Sequence, residues 1–68
     1  MVINMISVTR LNNSEFFINP DLIETIEETP DTVITLTTGK KIIVCENAET
    51  IIGKIIVFRR KIFENILK

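Results

Sequence analysis

Asn19–Val44, NPDLIETIEETPDTVITLTTGKKIIV, is the stretch that decides the fold. It holds three runs rich in Ile, Val and Thr, parted by Thr29-Pro30-Asp31-Thr32 and by Thr37-Thr38-Gly39-Lys40. Branched residues suit a pleated, half-buried surface, and Pro, Asp and Gly punctuate it. Val33–Thr37 and Lys41–Cys45 read as a hairpin, with Ile34, Leu36, Ile42 and Val44 on the core face. Gly39 stands where that turn needs positive φ. Asn19-Pro20-Asp21 is a helix-start signal, and Leu22, Ile23 and Ile26 could share a helical face. Pro30 follows too soon for a helix, so one helical turn and then a strand over Leu22–Glu28 is expected.

Outward from this stretch the pattern continues on the N-terminal side. Val2–Leu11 reads as a strand with Ile6 and Val8 on one face. Asn12-Asn13-Ser14 is a turn cluster able to adopt left-handed conformations, and Glu15–Ile18 is a short return strand. The period then changes on the C-terminal side. Glu46 and Glu49 suit a helix start that Asn47 or Thr50 can cap. Ile51, Ile52, Ile55, Ile56, Phe58, Ile62, Phe63, Ile66 and Leu67 recur over about half of the helix circumference. Gly53 weakens the first turns and permits close backbone approach. The expected fold is α+β in one domain over residues 1–68. An antiparallel β meander of four to five short strands within about 2–45, as a partial barrel or open sheet, is covered by one helix over about 47–67.

The chain has 68 residues, and a domain of this size buries only about 60% of its unfolded surface. Disulfides, a metal or self-association usually compensate. Cys45 is the only cysteine and there is no histidine, so an internal disulfide is excluded and a zinc-type site lacks its usual ligand spacing. Self-association remains, and a hydrophobic fraction of 46% agrees with it. One stripe of the helix suffices to cover so small a sheet. The other half-stripe then makes Ile52, Ile55, Ile56, Arg59, Ile62, Phe63 and Ile66 the candidate partner or oligomer interface.

Catalytic chemistry has little to draw on. No histidine can act as a base, and two glycines cannot build a nucleotide loop. No catalytic residue and no cofactor is expected. Glu24, Glu27 and Glu28 could hold a hard cation, but solvated charges on a strand edge are the favoured reading. The acidic setting of Cys45 argues for inert packing. Arg59 falls inside the apolar arc and needs a counter-charge, expected from Glu24, Glu27 or a second subunit.

The net charge of −1 hides an asymmetry. Eight of the nine acids lie between Glu15 and Glu49, whereas Lys54, Arg59, Arg60, Lys61 and Lys68 face only Glu64. Arg59, Arg60 and Lys61 support an alternative reading as a small RNA- or membrane-surface-binding module, although no Trp or Tyr offers a stacking platform. Met1–Ser7 lacks the marks of a signal peptide, and no uncharged stretch reaches the ~18–20 residues of a spanning helix. A cytoplasmic protein is expected. Met5 is as good a start as Met1, because patterned sequence begins at Ile6.

TRLNNSEFFINPDLIETIEETPDTVITLTTGKKIIV from Thr9, followed by ENAETIIGKI from Glu46, resembles the FlbD/SwrD family of small bacterial flagellar proteins. Thr29–Ile34 and Leu36–Lys41 are the most specific parts. The resemblance implies a non-enzymatic cytoplasmic protein that supports motility and swarming, with a stator or basal-body protein as partner. It brings no catalytic residues. Asn13-Ser14 departs from the family's usual Gly after Asn, implying a longer turn, and Ile62–Lys68 extends the tail.

Overall fold

The structure, a computed structural model, describes residues 5–67, with side chains through Glu64. It is an α+β fold of five short strands and one C-terminal helix. β1 (Ile6–Thr9) pairs with β2 (Glu15–Ile18), and β3 (Ile23–Glu28), β4 (Thr32–Leu36) and β5 (Lys41–Val44) form a second antiparallel sheet. The expected part of the first strand before Met5 lies outside the described residues. The meander thus divides in two, and the division falls where Asn19 caps a single 3-10 turn, Pro20–Leu22. Its Oδ1 accepts from the Asp21 amide at 2.9 Å, which turns the chain out of β2 before β3 begins. The two sheets meet again at an antiparallel bridge between Arg10 and Val44. There the Cys45 amide donates to the Thr9 carbonyl at 2.8 Å, so β1 runs beside β5.

The two tight hairpins are built alike. In one, the Gly39 amide donates to Leu36 O and the Leu36 amide to Lys40 O, both at 2.8 Å. In the other, the Asn13 amide donates to Arg10 O and the Arg10 amide to Ser14 O, both at 2.9 Å. Gly39 has φ +91° and Asn13 has φ +69°, the left-handed position that closes such loops. The Asn13-Ser14 turn is therefore no longer than its glycine-containing counterpart. Asn tolerates this conformation better than most residues, and Asn12 Oδ1 secures the loop by accepting from the Ser14 amide (3.0 Å) and hydroxyl (2.7 Å).

β3 carries an irregularity that explains its ambiguous spacing. Ile23 pairs with Leu36 and Thr25 with Thr35, which leaves Glu24 as an extra residue. This bulge lets Ile23 and Ile26, three positions apart, both pack on the core. The core itself is Ile6, Val8, Ile18, Ile34, Ile42, Val44 and Ile51. Phe16, Ile23, Ile26, Leu36, Ile55 and Phe58 surround it. The Arg10 guanidinium lies 4.4 Å from the Phe16 ring centre and covers its outer side.

Candidate functional site: the outer face of the helix

Helix α1 spans Ala48–Leu67, about 30 Å at 1.5 Å per residue. Its root is fastened by contacts with β1, β3 and the turn between β5 and α1. Asn47 is the cap, with Oδ1 accepting from the Thr50 amide at 2.8 Å. Glu28, at the end of β3, accepts from the Ala48 amide at 2.7 Å and sets a negative charge against the positive helix terminus. Glu46 holds the Thr9 amide at 2.9 Å and the Thr9 hydroxyl at 2.8 Å. Desolvation alone would raise the Glu46 carboxyl. The Thr9 donors, the amide of Glu46 itself and the Lys54 ammonium outweigh it and hold the group below the usual range. One turn further on, Lys54 Nζ donates to Ser7 O at 2.8 Å and to Ser7 Oγ at 3.3 Å.

Past this root, the helix buries little. Ile51, within the root, is fully buried; further on, Ile55 and Phe58 pack on the core cluster and Ile62 is half-buried. The residues expected to form an interface therefore separate by direction. Ile55 turns inward, Ile62 sits at the margin, and Ile52, Ile56, Arg59 and Phe63 are exposed. Ile52 and Ile56 each keep 49% of their surface in water and Phe63 61%, large values for apolar side chains. The side chain of Ile66 lies outside the described residues. On the opposite flank, an open groove of about 660 Å³ runs between the helix and the β1–β2 hairpin, with Met5, Phe17 and Val57 among its walls.

Several assignments made on the sequence change. Arg59 is exposed rather than enclosed, and its counter-charge is Asp21 in the 3-10 turn at 3.2 Å, not Glu24 or Glu27. Gly53 has open space where a Cβ would stand, so no close approach among the described residues requires it. Cys45 is exposed and donates weakly to Arg10 O at 3.2 Å instead of packing inside. Glu24, Glu27 and Glu28 do not converge, because Glu28 is turned to the helix. Among the described residues no group of three acids or thiols could share an ion. Arg59, Arg60 and Lys61 point about 100° apart, as consecutive helical residues must. Arg59 meets Asp21, and Lys61 lines the groove on the far flank, so the three form no single basic patch.

What sequence reasoning missed is the fastening of the root. Glu46 reaches Thr9 across 37 positions and Glu28 reaches Ala48 across 20, and no local pattern announces either.

The distinctive surface of this small α+β scaffold is the exposed apolar flank of its helix. A family model described as "Flagellar and Swarming motility proteins" matches residues 5–63, and the chain belongs to this FlbD family. Membership assigns it a role in flagellar or swarming motility. Comparison with curated proteins and with solved structures gives no match. No helix among the described residues is long and apolar enough to cross a membrane.

Proposed function

We propose that this protein is a non-enzymatic accessory of the flagellar motor, acting by contact with a stator or basal-body protein on the membrane-proximal side. The observation that carries this reading is the apolar surface on both flanks of α1. Ile52, Ile56 and Phe63 lie on one flank, and Val57, Phe17 and Met5 on the other, all close to half exposed or more. Such surface is costly to leave in water, and on a small protein it marks a place of contact. The firm root of the helix supports the reading, since it holds that surface in one orientation against the sheet. The FlbD signature over the strands contributes turns and core alternation, with the contact region on the helix beside it.

Cross-linking in motile cells, followed by affinity purification of the chain, tests this. Enrichment of a stator or basal-body component that is lost with Val57→Glu is the expected outcome. Recovery of no flagellar component from cells that swarm normally would overturn it.

A further inference from the structure

We infer that the Ile52–Phe63 flank of α1 binds a second copy of this chain, as an antiparallel helix pair in which Glu49 of each copy meets Arg59 of the other. The inference stands independently of which motor component is contacted, because it assigns one flank only and leaves the Met5–Phe17–Val57 groove free.

The spacing of the exposed residues comes first. Glu49, Ile52, Ile56, Arg59 and Phe63 follow at intervals of three, four, three and four. This is the a/d repeat of a helix-pairing seam. The seam is displaced by one residue from Ile51, Ile55, Phe58 and Ile62, which follow at four, three and four and face or border the core. One helix thus carries two adjoining seams. The sheet fills the inner one, and nothing among the described residues fills the outer one.

Charge then selects the occupant. Acids gather at the helix root, where Glu28 and Glu46 accept hydrogen bonds and Glu49 is exposed, whereas Arg59, Arg60 and Lys61 lie two to three turns further on. A parallel pair would set Arg59 against Arg59 and Glu49 against Glu49. An antiparallel pair stacks a positions on d positions of the other helix. One register of that pair sets Glu49 opposite Arg59 and Ile52 opposite Ile56, each twice by symmetry. The acidic root of each copy then lies along the basic half of the other. The surface ion pair that Arg59 makes with Asp21 is 58% and 67% exposed on its two sides, so exchanging it costs little.

Gly53 adds an independent observation. It weakens the second turn of an exposed helix, and among the described residues the space around its missing Cβ is open. In the antiparallel register it stands between the seam and the edge of the groove, level with the two-fold axis, where the absence of a side chain lets the two backbones approach while Met5, Phe17 and Val57 stay free. Ile55 and Ile62, half-buried on the sheet side, flank the seam opposite Gly53.

Sedimentation velocity and native mass spectrometry on the full chain test the inference, with circular dichroism confirming that each variant folds. The wild type is expected to dimerise in the micromolar range. Ile56→Glu, or Ile52→Gln should Ile56→Glu unfold, is expected to leave a folded monomer. Arg59→Glu and Glu49→Arg should each weaken the dimer by more than about tenfold, and the combined charge exchange should restore it. Loss of the Asp21 pair alone predicts no such rescue. A monomeric wild type, including one that instead captures an acidic amphipathic helical peptide or anionic vesicles, would overturn the inference. So would a dimer that survives Ile56→Glu, or folded single variants whose combination stays monomeric.

Discussion

Two adjacent isoleucines test the division of the helix into an inner and an outer face. Ile51 is fully buried, while Ile52 is 49% exposed. Ile51→Ala removes three carbons from the core, a transfer loss of roughly 2.4 kcal/mol at ~0.8 per methylene. The neighbours of Ile51 are strands fixed by their ladders, so the site collapses poorly and a cavity term adds to this. A total of about 3–4 kcal/mol is expected. A chain of 68 residues has only about 3–10 kcal/mol of stability, so Ile51→Ala should leave a barely folded protein. Ile52→Ala loses about half of the transfer term and creates no cavity, and alanine's higher helix propensity recovers a few tenths of a kcal/mol. Its expected cost is at most about 1 kcal/mol. Urea titrations followed by the helical circular dichroism signal measure both. They should be run at two protein concentrations, because self-association would add a concentration-dependent contribution. Equal costs at the two positions would refute the assignment of faces.

Four further perturbations have definite expected outcomes. The Glu46 carboxyl is held below its usual range, so its contribution is present above the unfolded value and is lost as pH falls through the folded one. Melting temperatures between neutral and acidic pH should fall for the wild type, and less steeply for Glu46→Gln; parallel curves would remove the assigned role of Thr9. Gly39→Ala forces a Cβ into a left-handed position and should cost about 1 kcal/mol or more. Asn13→Gly at the equivalent position of the other hairpin should be neutral or stabilising by a few tenths, as urea midpoints will show. Gly53→Ala should raise the stability of the isolated chain by up to ~1 kcal/mol while weakening its dimer, a divergence read by pairing melts with sedimentation.

The hairpin of β4 and β5 was legible because its signals are local. Turn residues lie next to alternating Ile34, Leu36, Ile42 and Val44, and a single strand face explains all four. β3 was legible only in part. Ile23 and Ile26 sit three apart, a helical interval, and only the bulge at Glu24 reconciles that spacing with a strand. The helix and its excess of apolar surface followed from periodicity, but periodicity has no knowledge of how far a sheet extends. Ile55 and Ile56 were therefore grouped together, although one packs on the core and the other faces water. Long-range polar contacts were not legible at all. The counter-charge of Arg59 depends on where the 3-10 turn sits beside the helix, and its partner is Asp21 rather than a strand-edge glutamate. The acids around the root were readable as helix-start residues, yet Glu28 belongs to a strand and reaches Ala48 only once the chain has folded back.

Swarm expansion of a flagellated bacterium that lacks its own copy of this gene tests the central claim most directly. The strain is complemented with the wild type, with Ile56→Glu and with Ile43→Glu, at matched protein levels. Ile43 is also an exposed apolar residue, 43% in water, but it lies on β5 away from the helix. The predicted result is that Ile56→Glu abolishes swarming while Ile43→Glu preserves it. Normal swarming with Ile56→Glu would contradict the assignment of function to the outer face of α1.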